Sequence, residues 1–136
     1  MARILALDYG TKRTGIAVTD ELQLIASGLT TVATGELLVF LKEYLERENV
    51  EKIIVGEPKR MNNEASDVEV KISGFITKLK ETTPLPIIRV DERFTSKLAS
   101  RSLVQGGMKK KKRQDKALLD EISATIMLQD YLQYGR

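Results

Sequence analysis

The spacing of apolar residues along the chain changes several times, and each change predicts a new element. Residues 3–8 present apolar side chains on both alternating faces, which is typical of a strand with helices on both sides of its sheet. Short apolar or alternating runs predict further strands at residues 15–19, 24–31, 52–56 and 87–91. Only short connections separate the strands at 3–8, 15–19 and 24–31. The N-terminal part is therefore predicted to form an antiparallel group of three strands.

Helical spacing appears in the segments between and after these strands. Residues 36–48 predict one helix, and a capping-box pattern at 66–69 opens a second. Thr95 is predicted to cap a third helix and Asp115 a last one. The predicted buried stripes are Leu37, Leu38, Leu41, Tyr44 and Leu45 in the first helix, Val68, Ile72, Phe75, Ile76 and Leu79 in the second, and Ala124, Met127, Leu128 and Tyr131 in the last.

The order of the elements predicts an α/β fold. Three strands followed by alternating helices and strands give a mixed sheet, antiparallel in its N-terminal part and parallel beyond it, with helices on both faces. The 136 residues are expected to form a single domain spanning 1–136, long enough to bury a core without disulfides or metals as staples.

Composition excludes several kinds of chemistry. The chain has neither cysteine nor histidine, so disulfides, Cys/His zinc sites, cysteine nucleophiles and histidine bases are all impossible within it. No apolar run approaches the roughly 18 residues of a membrane span, and Asp8 interrupts the segment where a signal peptide would be apolar. We therefore expect a cytoplasmic protein with no membrane partner.

Three carboxylates stand where burial is expected. Asp8 ends the first strand, Glu92 follows the strand at 87–91 on the side of its Ile88 and Val90, and Asp120 lies on the apolar face of the last helix. Buried carboxylates need cations, and in a chain without histidine or cysteine the oxygen-preferring ions Mg²⁺ or Mn²⁺ are the natural choice.

Each of these carboxylates also has a purely structural interpretation. Asp8 could be a turn residue that bonds nearby backbone. Glu92 could pair with Arg89 or Arg93, and Asp120 could favour the N-terminal dipole of its helix.

A basic run precedes the last helix, within a chain of net charge +3. Such a run predicts a contact with nucleic acid, and a solvated loop is the alternative. The run comprises Lys109, Lys110, Lys111, Lys112 and Arg113.

Four segments in order resemble the YqgF family, also called the RuvX-like Holliday-junction resolvases. They are LALDYGTKRTGIAVTD, VGEPKRMNNEAS, VDERFTS and KKKKRQDKALLDEISATIMLQDYL, and together they extend over nearly the whole chain. The resemblance implies a ribonuclease H-like fold and a divalent-metal-dependent endonuclease that hydrolyses phosphodiesters. It also implies an RNA precursor or branched DNA as the substrate, because family members are linked to small-subunit rRNA maturation or to branched DNA. Junction cleavage would favour a symmetric homodimer.

The resemblance assigns roles to particular residues. It implies that Asp8, Glu92 and Asp120 are the catalytic residues and the metal ligands, and that Gly10 lets a phosphate approach the backbone. Glu57 departs from the family, in which this position is more often apolar. The residues expected to contact nucleic acid are Lys12, Arg13, Arg93, Thr95 and the basic run.

Two other classes of function share some of these features. The opening also resembles the first phosphate loop of the actin and sugar-kinase superfamily, D-x-G-T, although those proteins close two such domains over a nucleotide. A non-catalytic nucleic-acid-binding module is the other alternative, and metal-dependent cleavage would distinguish it from an enzyme.

Overall fold

The computed structural model describes residues 2–57, 67–91 and 116–135, and five strands within these ranges form one mixed sheet. The strands are β1 (Arg3–Asp8), β2 (Arg13–Thr19), β3 (Ala26–Ala33), β4 (Val50–Glu57) and β5 (Ile87–Asp91). Their order across the sheet is β3-β2-β1-β4-β5. The pairs β1–β2 and β2–β3 are antiparallel, whereas β1–β4 and β4–β5 are parallel, which confirms the predicted sheet.

Helices connect and cover these strands. A 3₁₀ turn (Thr34–Glu36) leads into α1 (Leu37–Arg47), and α2 (Asp67–Thr82) follows β4. The last described helix, α3 (Lys116–Asp130), continues into a π-helical turn over Tyr131–Gly135. The helix predicted after Thr95 and the caps predicted at residues 66 and 115 lie outside the described residues.

The core has one layer on each face of the sheet. On one face, Leu5 and Leu7 of β1 pack with α1 and α2; on the other, Ile4 and Ala6 pack with α3. All the predicted stripes face inward. Their buried members are Leu37, Leu41 and Tyr44 in α1, Ile72, Ile76 and Leu79 in α2, and Ala124, Met127, Leu128 and Tyr131 around α3.

The bounds of β3 differ from the prediction for a reason visible at its start. The carboxylate of Asp20 accepts hydrogen bonds from the backbone N–H groups of Leu24 and Ile25, both at 2.8 Å. These two residues are therefore held in a turn, with exposed side chains, and β3 begins at Ala26 rather than at residue 24.

Candidate functional site

The carboxyl ends of the three parallel strands meet at one edge of the sheet. Leu7 of β1 lies opposite Val55 of β4, and Glu57 lies opposite Asp91 of β5, so acidic residues end all three strands. In open α/β sheets this is the edge at which ligands bind.

Alternation along the strands sends two of these acidic side chains to opposite faces. Asp8 shares the face of Ile4 and Ala6, which α3 covers. Glu57 shares the face of Ile53 and Val55, which α1 and α2 cover. Glu57, which departs from the family pattern, therefore places its negative charge on the face of the sheet opposite α3.

Gly15 brings the third predicted carboxylate close to the first. It pairs with Asp8 across β1 and β2. A Cβ atom on Gly15 would lie 2.1 Å from the carbonyl oxygen of Asp120 and 2.8 Å from the backbone nitrogen of Glu121. The backbone of α3 thus rests directly on the strand neighbour of Asp8.

A second glycine, on β3, lies beneath the same helix. A Cβ atom on Gly28 would meet the side chain of Glu121, with its nearest atom, Oε1, at 2.3 Å. The approach at Gly15 involves the backbone of α3 and restricts the position of the helix, whereas the approach at Gly28 involves a flexible side chain that can move. The position of Asp120 is set by packing of the whole helix rather than by its own side chain.

Arg13 and Asp120 form an ion pair across an open cleft. The Nε atom of Arg13 lies 2.8 Å from Oδ2 of Asp120, and about a third of each side chain is exposed. The Nε–H group is not aligned for a hydrogen bond, so the attraction is between charges. The two residues line a cleft of about 290 Å³ together with Gly10, Thr11 and Lys12.

The loop between β1 and β2 is held by Thr34. Its Oγ1 donates to the carbonyl of Gly10 at 2.6 Å and lies 3.0 Å from Oγ1 of Thr14, and its backbone N–H donates to the carbonyl of Lys12 at 3.0 Å. A Cβ atom on Gly10 would lie 2.4 Å from the carbonyl oxygen of Arg13. The turn itself therefore requires glycine at this position, whether or not a phosphate approaches it.

The structure brings together part of the predicted site. Asp8, Asp120 and Arg13 lie around the carboxyl end of β1, and Lys12 is exposed beside them. Within the described residues, no three acidic side chains cluster closely enough to hold a metal ion. The remaining predicted residues lie outside the described ranges: Glu92, Arg93, Thr95, Lys109, Lys110, Lys111, Lys112 and Arg113.

Arg89 has a partner that sequence analysis did not identify. Its guanidinium binds both carboxylate oxygens of Glu69 on α2, at 2.6 and 2.8 Å, and donates to the carbonyl of Gly56 at 3.0 Å. The capping-box pattern at 66–69 predicts for Glu69 only a role at the start of its helix. Arg89 is thus engaged on the α2 side of the sheet, whereas Ile88 and Val90, whose parity Glu92 shares, pack on the α3 side.

A five-stranded mixed sheet with acidic strand ends and a closing helix is the architecture of ribonuclease H-like proteins. Two solved structures share this fold. The RuvC protein of T. thermophilus in complex with a Holliday junction substrate superposes with a TM-score of 0.60 at 18% identity, covering 99% of this chain and 97% of that one. The fowlpox virus resolvase in complex with Holliday junction DNA gives 0.60 at 16% identity, covering 96% and 97%.

The chain belongs to the RuvX family, whose model, described as Holliday junction resolvase, matches residues 2–134. A relative from Christiangramia forsetii is 63% identical over 97% of this chain and 98% of its own length. One from Bacteroides thetaiotaomicron is 61% identical over 100% and 99%. Both have the name "Putative pre-16S rRNA nuclease". Of the helices in the described part of the chain, none has the length and apolar character that a membrane span needs.

Proposed function

We propose that this protein is a divalent-metal-dependent endonuclease that hydrolyses phosphodiester bonds in a precursor of 16S rRNA. Asp8, Glu92 and Asp120 would hold Mg²⁺ or Mn²⁺. The RNA substrate is favoured by relatives about as long as this chain, at 63% and 61% identity, that are named for it.

One observation supports this site above the others, namely the contact of α3 with Gly15. It places the backbone of Asp120 against the strand partner of Asp8, although the two residues are far apart in the chain. Carboxylate oxygens are the donors that Mg²⁺ and Mn²⁺ prefer. When bound, such ions would activate a water molecule and stabilise the leaving oxygen.

The basic residues of the cleft would bind and orient the phosphate of the substrate. Lys12 lies in a loop whose backbone is held by Thr34, and Arg13 follows it as the first residue of β2. A loop that is already ordered loses little conformational freedom when a phosphate binds. Arg13 would also offset part of the charge of Asp120 when no metal is bound, because the two side chains form an ion pair.

Branched DNA is the second candidate substrate. The family description names Holliday junction resolvase, and the two similar structures were solved with junction DNA. The family match over residues 2–134 supports a nuclease over a nucleotide-binding domain of the actin and sugar-kinase superfamily.

The test is a cleavage assay on two substrates with and without metal. An RNA that spans an end of 16S rRNA and a four-way DNA junction are incubated with Mg²⁺, Mn²⁺ or EDTA. We expect metal-dependent cutting of the RNA, and its loss in Asp8→Asn and Asp120→Asn. Asp130→Asn is the matched control, since it makes the same chemical change on α3 about 15 Å farther along the helix.

The other outcomes of the assay are equally informative. Cutting of the junction alone would transfer the proposal to branched DNA. Binding of either nucleic acid without cutting would make the protein a non-catalytic module. Full activity in Asp8→Asn would refute the metal site.

A further inference from the structure

A second open cleft lies on the opposite side of the sheet, next to the carboxyl end of β1. Its volume is about 420 Å³. Tyr9 lines it, and because Tyr9 directly follows Asp8, its side chain points to the α1–α2 face while Asp8 points to the α3 face. The residues that line it include Tyr9, Gly35, Lys71, Gly74, Phe75 and Lys78.

Two lysines give this cleft a positive charge. Lys71 and Lys78 are two helical turns apart on α2, about 10 Å along its axis, and both are exposed. Neither ammonium group forms an ion pair with a residue that the structure describes, and no acidic residue lines the cleft within the same ranges. The cleft is therefore suited to an anionic ligand.

Two aromatic rings lie against each other in the same cleft. The ring centroids of Tyr9 and Phe75 are 5.5 Å apart, with an angle of 41° between the planes. Both side chains are only partly buried. Partly exposed rings beside positive charges are the surface on which proteins stack unpaired bases.

Close packing against the described residues does not require glycine at two positions of the cleft, Gly35 and Gly74. Added Cβ atoms on Gly10, Gly15 and Gly28 would collide with neighbours, whereas at Gly35 and Gly74 nothing lies within 4 Å. Gly74 is inside α2, where glycine lowers helix stability relative to alanine. A side chain at either position would narrow the cleft, so both glycines keep it open.

We infer that this cleft binds a single-stranded segment of the nucleic-acid substrate next to the phosphate that is cut. Lys71 and Lys78 contact phosphates, and a base stacks on Tyr9 and Phe75. The strand reaches the Asp8 side of the sheet by crossing the loop that Thr34 holds. The inference rests on the proposed function for the identity of the strand, but its binding chemistry is independent of cleavage.

The experiment measures binding of a fluorescent single-stranded RNA of about 12 nucleotides, within the site sizes of single-strand binders. Fluorescence anisotropy is recorded over a series of salt concentrations in EDTA, with the full chain. We expect Lys71→Gln/Lys78→Gln to flatten the slope of log K against log salt by about 1.4, which is 0.7 per phosphate contact. The control Lys42→Gln/Lys80→Gln removes the same charge from exposed positions outside the cleft, so it should keep the slope.

A second variant separates binding from folding. Gly74→Leu extends a side chain into the cleft from a helical position where an added Cβ atom meets no neighbour, so its melting temperature should equal or exceed that of the wild type. Its affinity for the RNA should fall on the order of tenfold, because the base loses its stacking surface.

Three results would overturn the inference. They are equal slopes for the two double variants, unchanged affinity in Gly74→Leu, and competition by a duplex of the same length as strongly as by the single strand. Because EDTA removes cleavage from the measurement, a protein that binds through this cleft but never cuts would refute only the proposed function. A protein that cuts but gives any of the three results would refute only the cleft.

Discussion

The Nε atom of Arg13 lies 2.8 Å from Oδ2 of Asp120, joining the first residue of β2 to the helix on the opposite wall of the cleft. Each charge offsets the other in a place where both side chains are partly shielded from water. A cation that binds Asp120 must therefore share this carboxylate with Arg13.

Loss of the Arg13 charge should change metal binding and cleavage in opposite directions. In Arg13→Gln, the carboxylate of Asp120 is no longer paired with a positive charge. It should therefore bind Mg²⁺ more tightly, so that thermal stabilisation is half-maximal at a lower Mg²⁺ concentration. The cleavage rate should nevertheless fall, because a phosphate contact is lost. Thermal unfolding in a metal titration measures the first effect, with Lys42→Gln as a control for overall charge. An unchanged Mg²⁺ midpoint would show that the ion pair does not compete with metal.

Gly15→Ala should damage the site through the backbone of α3. The added methyl group would meet the carbonyl of Asp120, so we expect a loss of about 1–3 kcal/mol in unfolding free energy. The helix must also shift, which should weaken the metal response and cleavage.

Gly74→Ala provides the matched comparison for that variant. Its methyl group meets open space in a helix, and we expect a gain of about 0.5–1 kcal/mol. Chemical denaturation of both variants measures the two changes in unfolding free energy. Equal changes in the two would mean that the contact of α3 with Gly15 is not tight in solution.

The stabilisation that Asp20 gives to the turn before β3 should depend on pH. Hydrogen bonds from backbone N–H groups, that of Ile25 foremost, hold the pKa of this carboxyl below its ordinary value of 3.8. Because the folded-state pKa is the lower one, the stabilisation is present above pH 3.8 and is lost as the pH falls below it. The difference in melting temperature between wild type and Asp20→Asn should thus shrink on acidification. A constant difference from neutral to acid pH would contradict this.

The basic run before α3 should contribute to binding without sequence preference. If Lys109 to Arg113 contact phosphates, neutralising the run should flatten the salt dependence by about 0.7 per contact on single strands, or 0.9 on duplexes. Binding assays on RNA and DNA of unrelated sequences test both points. A slope equal to that of the wild type would identify the run as a solvated loop.

The fold was predictable because its signals are local and periodic. Strand β5 has the predicted bounds, and the apolar stripe from Ala124 to Tyr131 is buried on α3 as expected. The mixed sheet followed from the order of the elements alone. Strand ends were less predictable, since side chains such as that of Asp20 can take the hydrogen bonds that a strand would use.

The contacts that shape the site were harder to predict because they join distant segments. Nothing in the local sequence pairs Arg13 with Asp120 or Glu69 with Arg89. Gly15 and Gly28, each in a predicted strand, were the available signals, since a strand glycine often marks a close approach by another segment. The roles of Glu92 and of the other residues outside the described ranges stay predictions.

If Asp120 belongs to the catalytic site as proposed, its dependence on helix docking also limits when the protein can act. Asp8 is translated early, but β2 to β5 and the helices between them precede α3 in the chain. Until α3 has emerged from the ribosome and covered Gly15, one wall of the cleft is absent and the apolar patch around Ile4 and Ala6 is open to water. With Asp120 as a proposed catalytic residue, a nascent chain would have no hydrolytic capacity towards RNA until α3 docks, and the docking that covers Ile4 and Ala6 would also complete the proposed site.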